Sequence, residues 1–131
     1  MKPKGKEAIA VAEQAIEGMR LDYWDCWMCG WVYGKYFPHS RPPSLEIHHI
    51  GGRNHPEAHE RANLARLCSH CHHDVVHKDL VGTLPRLLAL KAIHDPDHYD
   101  RELVLRCRGK APTAITEAEM IAAAKQEGER R

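Results

Sequence analysis

The 131-residue chain reads as an α+β fold, mainly helical, built around a small metal-braced core. Three observations point there. Several stretches space their apolar residues as helices do, two short runs (SLEIHHI and LARL) read as strands, and two Cys-x-x-Cys pairs flank those strands. The length fits one compact domain, with 1–20 as an N-terminal helix, 21–80 as the core and 81–131 as a helical extension. A single Phe leaves the apolar core thin, so a bound metal would help to hold it.

The elements follow in order. Ile9, Ala12, Ile16 and Met19 share one helical stripe with Lys and Glu opposite, which predicts a helix from Pro3 to Gly18. Residues 21–43 hold three Trp, three Tyr and two Cys before an Arg-Pro-Pro break, and read as a turn-rich knuckle. SLEIHHI is the first strand. Neighbours in a strand point to opposite faces, so one of His48 and His49 is expected to face a core and the other the open side. Gly51, Gly52, Asn54 and Pro56 mark a polar loop, and LARL is a short second strand. HHDVVHKDLVGT after the second Cys pair reads as a helix, as does Leu84–Ile93. Asp97 is placed to cap a further helix ending near Gly109. Thr116 with Glu119 has the spacing of a capping box before a last helix, with Gly128–Arg131 frayed.

Charge distinguishes little. The formal net charge is +1 with no basic block, so composition neither requires nor excludes nucleic acid. Arg106, Arg108 and Lys110 form a short basic run, read as a solvated face or as a functional patch. No apolar run approaches the roughly 20 residues of a membrane span. The opening MKPKGKEAIA lacks the apolar segment of a secretory signal, so a cytoplasmic location is the expectation. Thiols stay reduced there, and five Cys read as metal ligands rather than disulfides.

Cys26-x-x-Cys29 and Cys68-x-x-Cys71 make the strongest local signal. Each pair can turn both sulfurs toward one ion, and four thiolates make a closed tetrahedral zinc site. Such a zinc would pin residue 26 to residue 71 and make everything between them a loop clamped at its base. With four thiolates it has no open position for chemistry. Cys107 stands outside the pattern and reads as a plain buried thiol.

Histidine is in excess, at eleven residues. His48 and His49 lie on the first strand, and His72, His73 and His77 follow Cys71. One strand His and one helix His would make a half-open site for a divalent ion. The other strand His would be free to act as a base, with a pKa near the ordinary value of about 6.5.

The order of these pieces resembles the HNH endonucleases, in the subgroup whose ββα-metal motif (the His-Me finger) is braced by two Cys-x-x-Cys knuckles. The likeness rests on the first knuckle, the strand ending His-His-Ile, the Gly-Gly loop, Asn63-Leu64, and Leu-Cys-x-x-Cys-His. It implies a metal-dependent endonuclease acting on DNA, with a structural zinc and a catalytic divalent ion such as Mg2+ or Mn2+. By that resemblance His48 and His72 are ligands of the catalytic metal, His49 is the general base, and Asn63 orients the base through the loop. Many relatives carry a further His four residues after the position of His72. Here Val76 stands there and His77 follows. On an α-helix His72 and His77 would lie about 140° apart, too far for easy co-ligation unless the helix is distorted. His73 and His77 are the rival pair. Glu46 is a candidate partner on the face of His48 or a solvated strand residue. Arg53, His55 and His59 are candidates for phosphate contact, and Trp24, Trp27 and Trp31 are expected to pack around the zinc. A zinc-dependent module that holds nucleic acid without cutting it is the alternative. Oligomeric state stays open, with a dimer through the flanking helices as one arrangement.

Overall fold

The computed structural model describes residues 6–34, 43–111 and 113–130. The expected helix start at Pro3, Tyr36 and the Arg41-Pro42 step lie outside them. Helix α1 spans Lys6–Asp22, four residues beyond the expected end at Gly18. Ala12 and Ile16 are half-buried on its stripe and Met19 is fully buried. The first knuckle closes with a single bridge between Asp25 and Val32. Gly30 takes φ +80°, the left-handed turn that glycine tolerates best, and its N–H donates to Cys26 O at 2.8 Å.

Strands β1 (Leu45–His49) and β2 (Leu64–Cys68) pair antiparallel, with Leu45 opposite Cys68 and His49 opposite Leu64. The register does two jobs. It sets Cys68 at the open end of the hairpin, beside Cys71. It also sets Asn63 one step beyond His49, where Ile50 N–H donates to its carbonyl at 2.7 Å. Every residue of β2 is buried. The first three residues of β1 are only half-buried.

Cys71–Val76 is a helical turn, but a π-helix rather than the expected α-helix. Its i,i+5 repeat is seen in His77 N–H donating to His72 O at 3.0 Å. Buried Cys71 and Val76 recur at that spacing, so the wide turn puts both into the core while Val75 stays exposed.

Helices α2 (Leu84–His94), α3 (Arg101–Cys107) and α4 (Glu117–Arg130) complete the fold. The cap of α3 is Asp100, whose Oδ1 accepts from Leu103 N–H at 3.1 Å. Asp97 instead belongs to a short 3-10 turn, Pro96–His98, which displaces the start of α3. The Thr116 hydroxyl accepts from Glu119 N–H at 3.2 Å, as the capping spacing predicts. Instead of fraying at Gly128, α4 runs to Arg130. Glu127 is buried there and pairs with Arg86 at 2.5 Å and Arg130 at 2.6 Å, which anchors the last turn. Lys91 of α2 is fully buried and ties the hairpin down. Its ammonium donates to Arg61 O at 2.7 Å, to Leu64 O at 2.9 Å and to Asp95 Oδ2 at 2.8 Å. That fixes the backbone on both sides of Asn63. Among the described residues no helix is long and apolar enough to cross a membrane.

Candidate metal centres and active site

The four knuckle cysteines converge, with ligand atoms all within 4.8 Å of one another. Cys29 Sγ and Cys68 Sγ are 3.7 Å apart. A tetrahedron with bonds of about 2.3 Å to sulfur has edges of about 3.8 Å, so the spacing fits one zinc ion. Backbone amides soften the charge: Cys29 N–H faces Cys26 Sγ at 3.5 Å and Cys71 N–H faces Cys68 Sγ at 3.4 Å. Without a cation, like charges keep the sulfurs from ionising side by side. Hydrogen bonds from Cys68 and Cys71 hold the Cys26 thiol far below its ordinary range. Beside that thiolate Cys68 is pushed up to about 12, and Cys71 is raised as well. A dication is what would let all four ionise together. Trp27 is buried beside this knuckle, edge-on to Tyr23 at 5.0 Å and stacked on His94 at 5.3 Å. Trp31 is half-buried, whereas Trp24 is 55% exposed, contrary to the expectation that all three pack inward.

A second cluster is made of imidazoles. His48 Nδ1 and His77 Nε2 both approach His72 Nε2, at 3.1 and 3.0 Å. The i,i+5 turn is the reason His77 arrives: it turns His72 and His77 to one side, where α-helical geometry would hold them apart. His73 stands 60% exposed and joins a different grouping with Glu46 and His72.

Glu46 fixes the chemistry of the central ring. Its Oε1 lies 2.9 Å from His72 Nδ1, and a carboxylate can only accept, so Nδ1 carries the proton. Burial keeps the ring as a whole neutral, lowering its pKa against the pull of Glu46. Nε2 then offers one in-plane lone pair to two neighbouring nitrogens. Two N–H donors cannot share it well, whereas one cation can serve all three rings. Nitrogens bound at right angles at about 2.1 Å would be about 3.0 Å apart, close to both measured separations. A ring whose far nitrogen is held by a carboxylate is also the usual arrangement of a metal-bound histidine. The residues present therefore fit a divalent ion held by His48, His72 and His77. Glu46 meets His72 and His73 rather than His48, its expected neighbour.

His49 completes the same cavity, of about 280 Å³, together with Arg53, Arg108 and the three clustered rings. Neither strand histidine faces open solvent: His48 is 5% and His49 6% exposed. The loop and the π-turn close over both sides of the strand end. Burial, with His72 and His77 nearby, pushes His48 down to about 3. Burial, with Arg53 and His59, pushes His49 down to about 4, which corrects the expectation of an ordinary imidazole. His49 Nδ1 is sealed without a partner, and Nε2 meets His59 Nδ1 at 3.1 Å. His59 thus stands against His49.

Asn63 is fully buried and staples the loop. Its Oδ1 accepts from Gly51 N–H at 2.7 Å, and its Nδ2 donates to Gly52 O at 3.1 Å and Ala58 O at 2.8 Å. Gly51 admits no side chain, since a Cβ would lie 2.5 Å from Val104 O and 2.9 Å from Asn63 Oδ1. Arg53 is exposed at the cavity mouth. His55 lies in an adjoining cavity and accepts from Glu57 N–H at 3.1 Å. Sequence reasoning did not place Arg108 in the site. Its only signal there was the short basic run, detached in sequence from the histidines.

A β-hairpin and helical turn clamped at the base by four cysteines, with convergent imidazoles above, define a metal-binding domain of the ββα class. Residues 26–78 match the family model described as HNH endonuclease. No curated protein and no solved structure matches the chain.

Proposed function

We propose that the protein is a metal-dependent DNA endonuclease in which His49 is the general base. The observation that carries this reading is the convergence of three imidazole nitrogens beside a fourth, buried imidazole within the segment that matches the HNH model. His48, His72 and His77 would hold the ion. When bound, it supplies Lewis acidity toward the charge that grows on the phosphate and the departing 3′ oxygen. Three imidazole nitrogens suit a borderline ion such as Co2+, Ni2+ or Zn2+ better than Mg2+, with Mn2+ between them.

The chain's own groups do the rest. His49 is neutral well below pH 7, so it is ready to accept a proton from the attacking water. The accepting atom is Nε2, because Nδ1 is sealed; the exposed His59 ring is the group a water there would displace. Asn63 touches neither nitrogen. It holds the Gly51-Gly52 turn and, through its own carbonyl, the Ile50 amide, and so keeps the end of β1 in place as a positioning residue. Arg53 meets incoming phosphate at the mouth.

The test is cleavage of supercoiled plasmid by the zinc-loaded chain with Mn2+ or Mg2+. His49→Ala should lower the rate by roughly 10²–10⁴ with zinc content unchanged, the range a general base contributes. For the wild type, kcat/KM should hold up below the ordinary imidazole pKa of about 6.5. It should fall only as pH drops toward about 4, where His49 becomes protonated. DNA binding without cleavage by the wild type would favour a non-cutting zinc module instead.

A further inference from the structure

Helix α3 lies outside the matched HNH segment, yet it delivers a cation into the HNH cavity. Arg108 caps its C-terminus, and Nη2 donates to Ile50 O at 2.7 Å, the carbonyl directly after His49. The helix end is held close: a Cβ on Gly51 would lie 2.7 Å from Cys107 Cβ as well as against Val104 O. Gly52 turns with φ +89°, and a side chain there would first meet Arg108 Nη1. Arg108 is thus locked to the backbone that carries the proposed base. Its Nε is buried, with no hydrogen-bond partner among the described residues. Arg106, by contrast, is engaged with both carboxylate oxygens of Glu57, at 3.2 Å each. Arg53 and Arg108 line both the histidine cavity and a neighbouring cavity of about 370 Å³ with Asn54 and His55, so they stand on the ridge between the two.

We propose that Arg108, paired with Arg53, is a phosphate-binding residue that seats the phosphodiester beside the histidines, with the adjoining cavity receiving the next phosphate. The inference rests on the nuclease reading for its substrate and adds a residue from outside the HNH segment. The chemistry is direct. One N–H of Nη2 anchors it to the loop, and Nη1 with the second N–H of Nη2 is left to meet the oxygens of an anion. No carboxylate is paired with it among the described residues.

The experiment uses the full zinc-loaded chain in a His49→Ala background, with a short DNA duplex titrated across NaCl concentrations. Arg108→Gln should reduce the slope of log K against log[salt] by about 1, the signature of one lost phosphate contact. Arg53→Gln, an exposed change that leaves the packing alone, should do the same. Mn2+ affinity measured by calorimetry should stay within about twofold in both, since neither residue is a ligand. With His49 intact, Arg108→Lys should recover part of the cleavage lost in Arg108→Gln. Unchanged salt slopes in both variants overturn the proposal even if the wild type cuts DNA. A tenfold loss of Mn2+ affinity in Arg108→Gln, with the Arg53→Gln slope unchanged, also overturns it, because Arg108 would then be only a loop clamp. Reduced slopes in a chain that never cuts would support the phosphate contact while sinking the nuclease reading.

Discussion

Cys71 and His72 are consecutive residues, yet they belong to clusters of opposite character. The sulfur cluster gathers four acidic donors from both ends of a 46-residue span, Cys26 to Cys71, enough to saturate a tetrahedron. The imidazole cluster gathers three neutral donors beside a cavity and leaves positions free. Donor charge and donor number separate the two roles. Four thiolates cannot stay deprotonated together without an ion, so metal binding and folding would form one event. Three imidazoles, already near each other through Glu46 and the π-turn, can exist with or without theirs.

That contrast can be broken from either side, and the largest effect belongs to sulfur. Cys71→Ala, or stripping zinc with a strong chelator, should abolish the cooperative thermal transition and with it all binding at the histidines. Loss of dispersion in proton NMR spectra would report it; a stripped chain that still melts cooperatively would show that the cysteines are not the clamp. The reverse change should stay local. His77→Ala should leave zinc content and the melting transition nearly unchanged while weakening Mn2+ binding by more than the roughly 10–100-fold that loss of an outer hydrogen-bond partner costs. An unaltered Mn2+ isotherm would remove His77 from the ligand set. Glu46→Gln is milder still. It removes the charge behind His72 but keeps a hydrogen-bond acceptor, and should weaken Mn2+ binding by about tenfold, toward the low end of the same range. Calorimetry would read it, and an equal loss in His73→Ala would shift attention to the Glu46–His72–His73 grouping.

Much of this arrangement was legible in the residues. The two Cys pairs and the strand pair depend on spacing and alternation, which a sequence displays directly. The Thr116–Glu119 cap is equally local. What stayed hidden required knowledge of backbone geometry or of distant contacts. The estimate of about 140° between His72 and His77 assumed an ordinary helical repeat. Two pairs at i,i+5, Cys71 with Val76 and His72 with His77, carried the contrary hint, but a single turn is too short for a period to be read. The depressed His49 could not be anticipated, because burial at the strand end is imposed by the loop and by α3. The basic run named Arg108 but not its place in the cavity, for the same reason: 58 residues separate it from Ile50, whose carbonyl it holds. Asp100 displaced Asp97 as a cap because the Pro96 turn intervenes, and Glu127 held an end that its neighbour Gly128 argued should unravel.

The π-turn also bears on how such a centre tolerates a change in chain length. Two rings four positions apart would be aligned by an ordinary helix; His72 and His77 are five apart, and the wider loop of backbone turns them to one side. The same widening leaves both Cys71 and Val76 seated in the interior. An insertion that would misalign a regular helix can in this way be taken up as a local swelling that keeps the ring-to-ring distance.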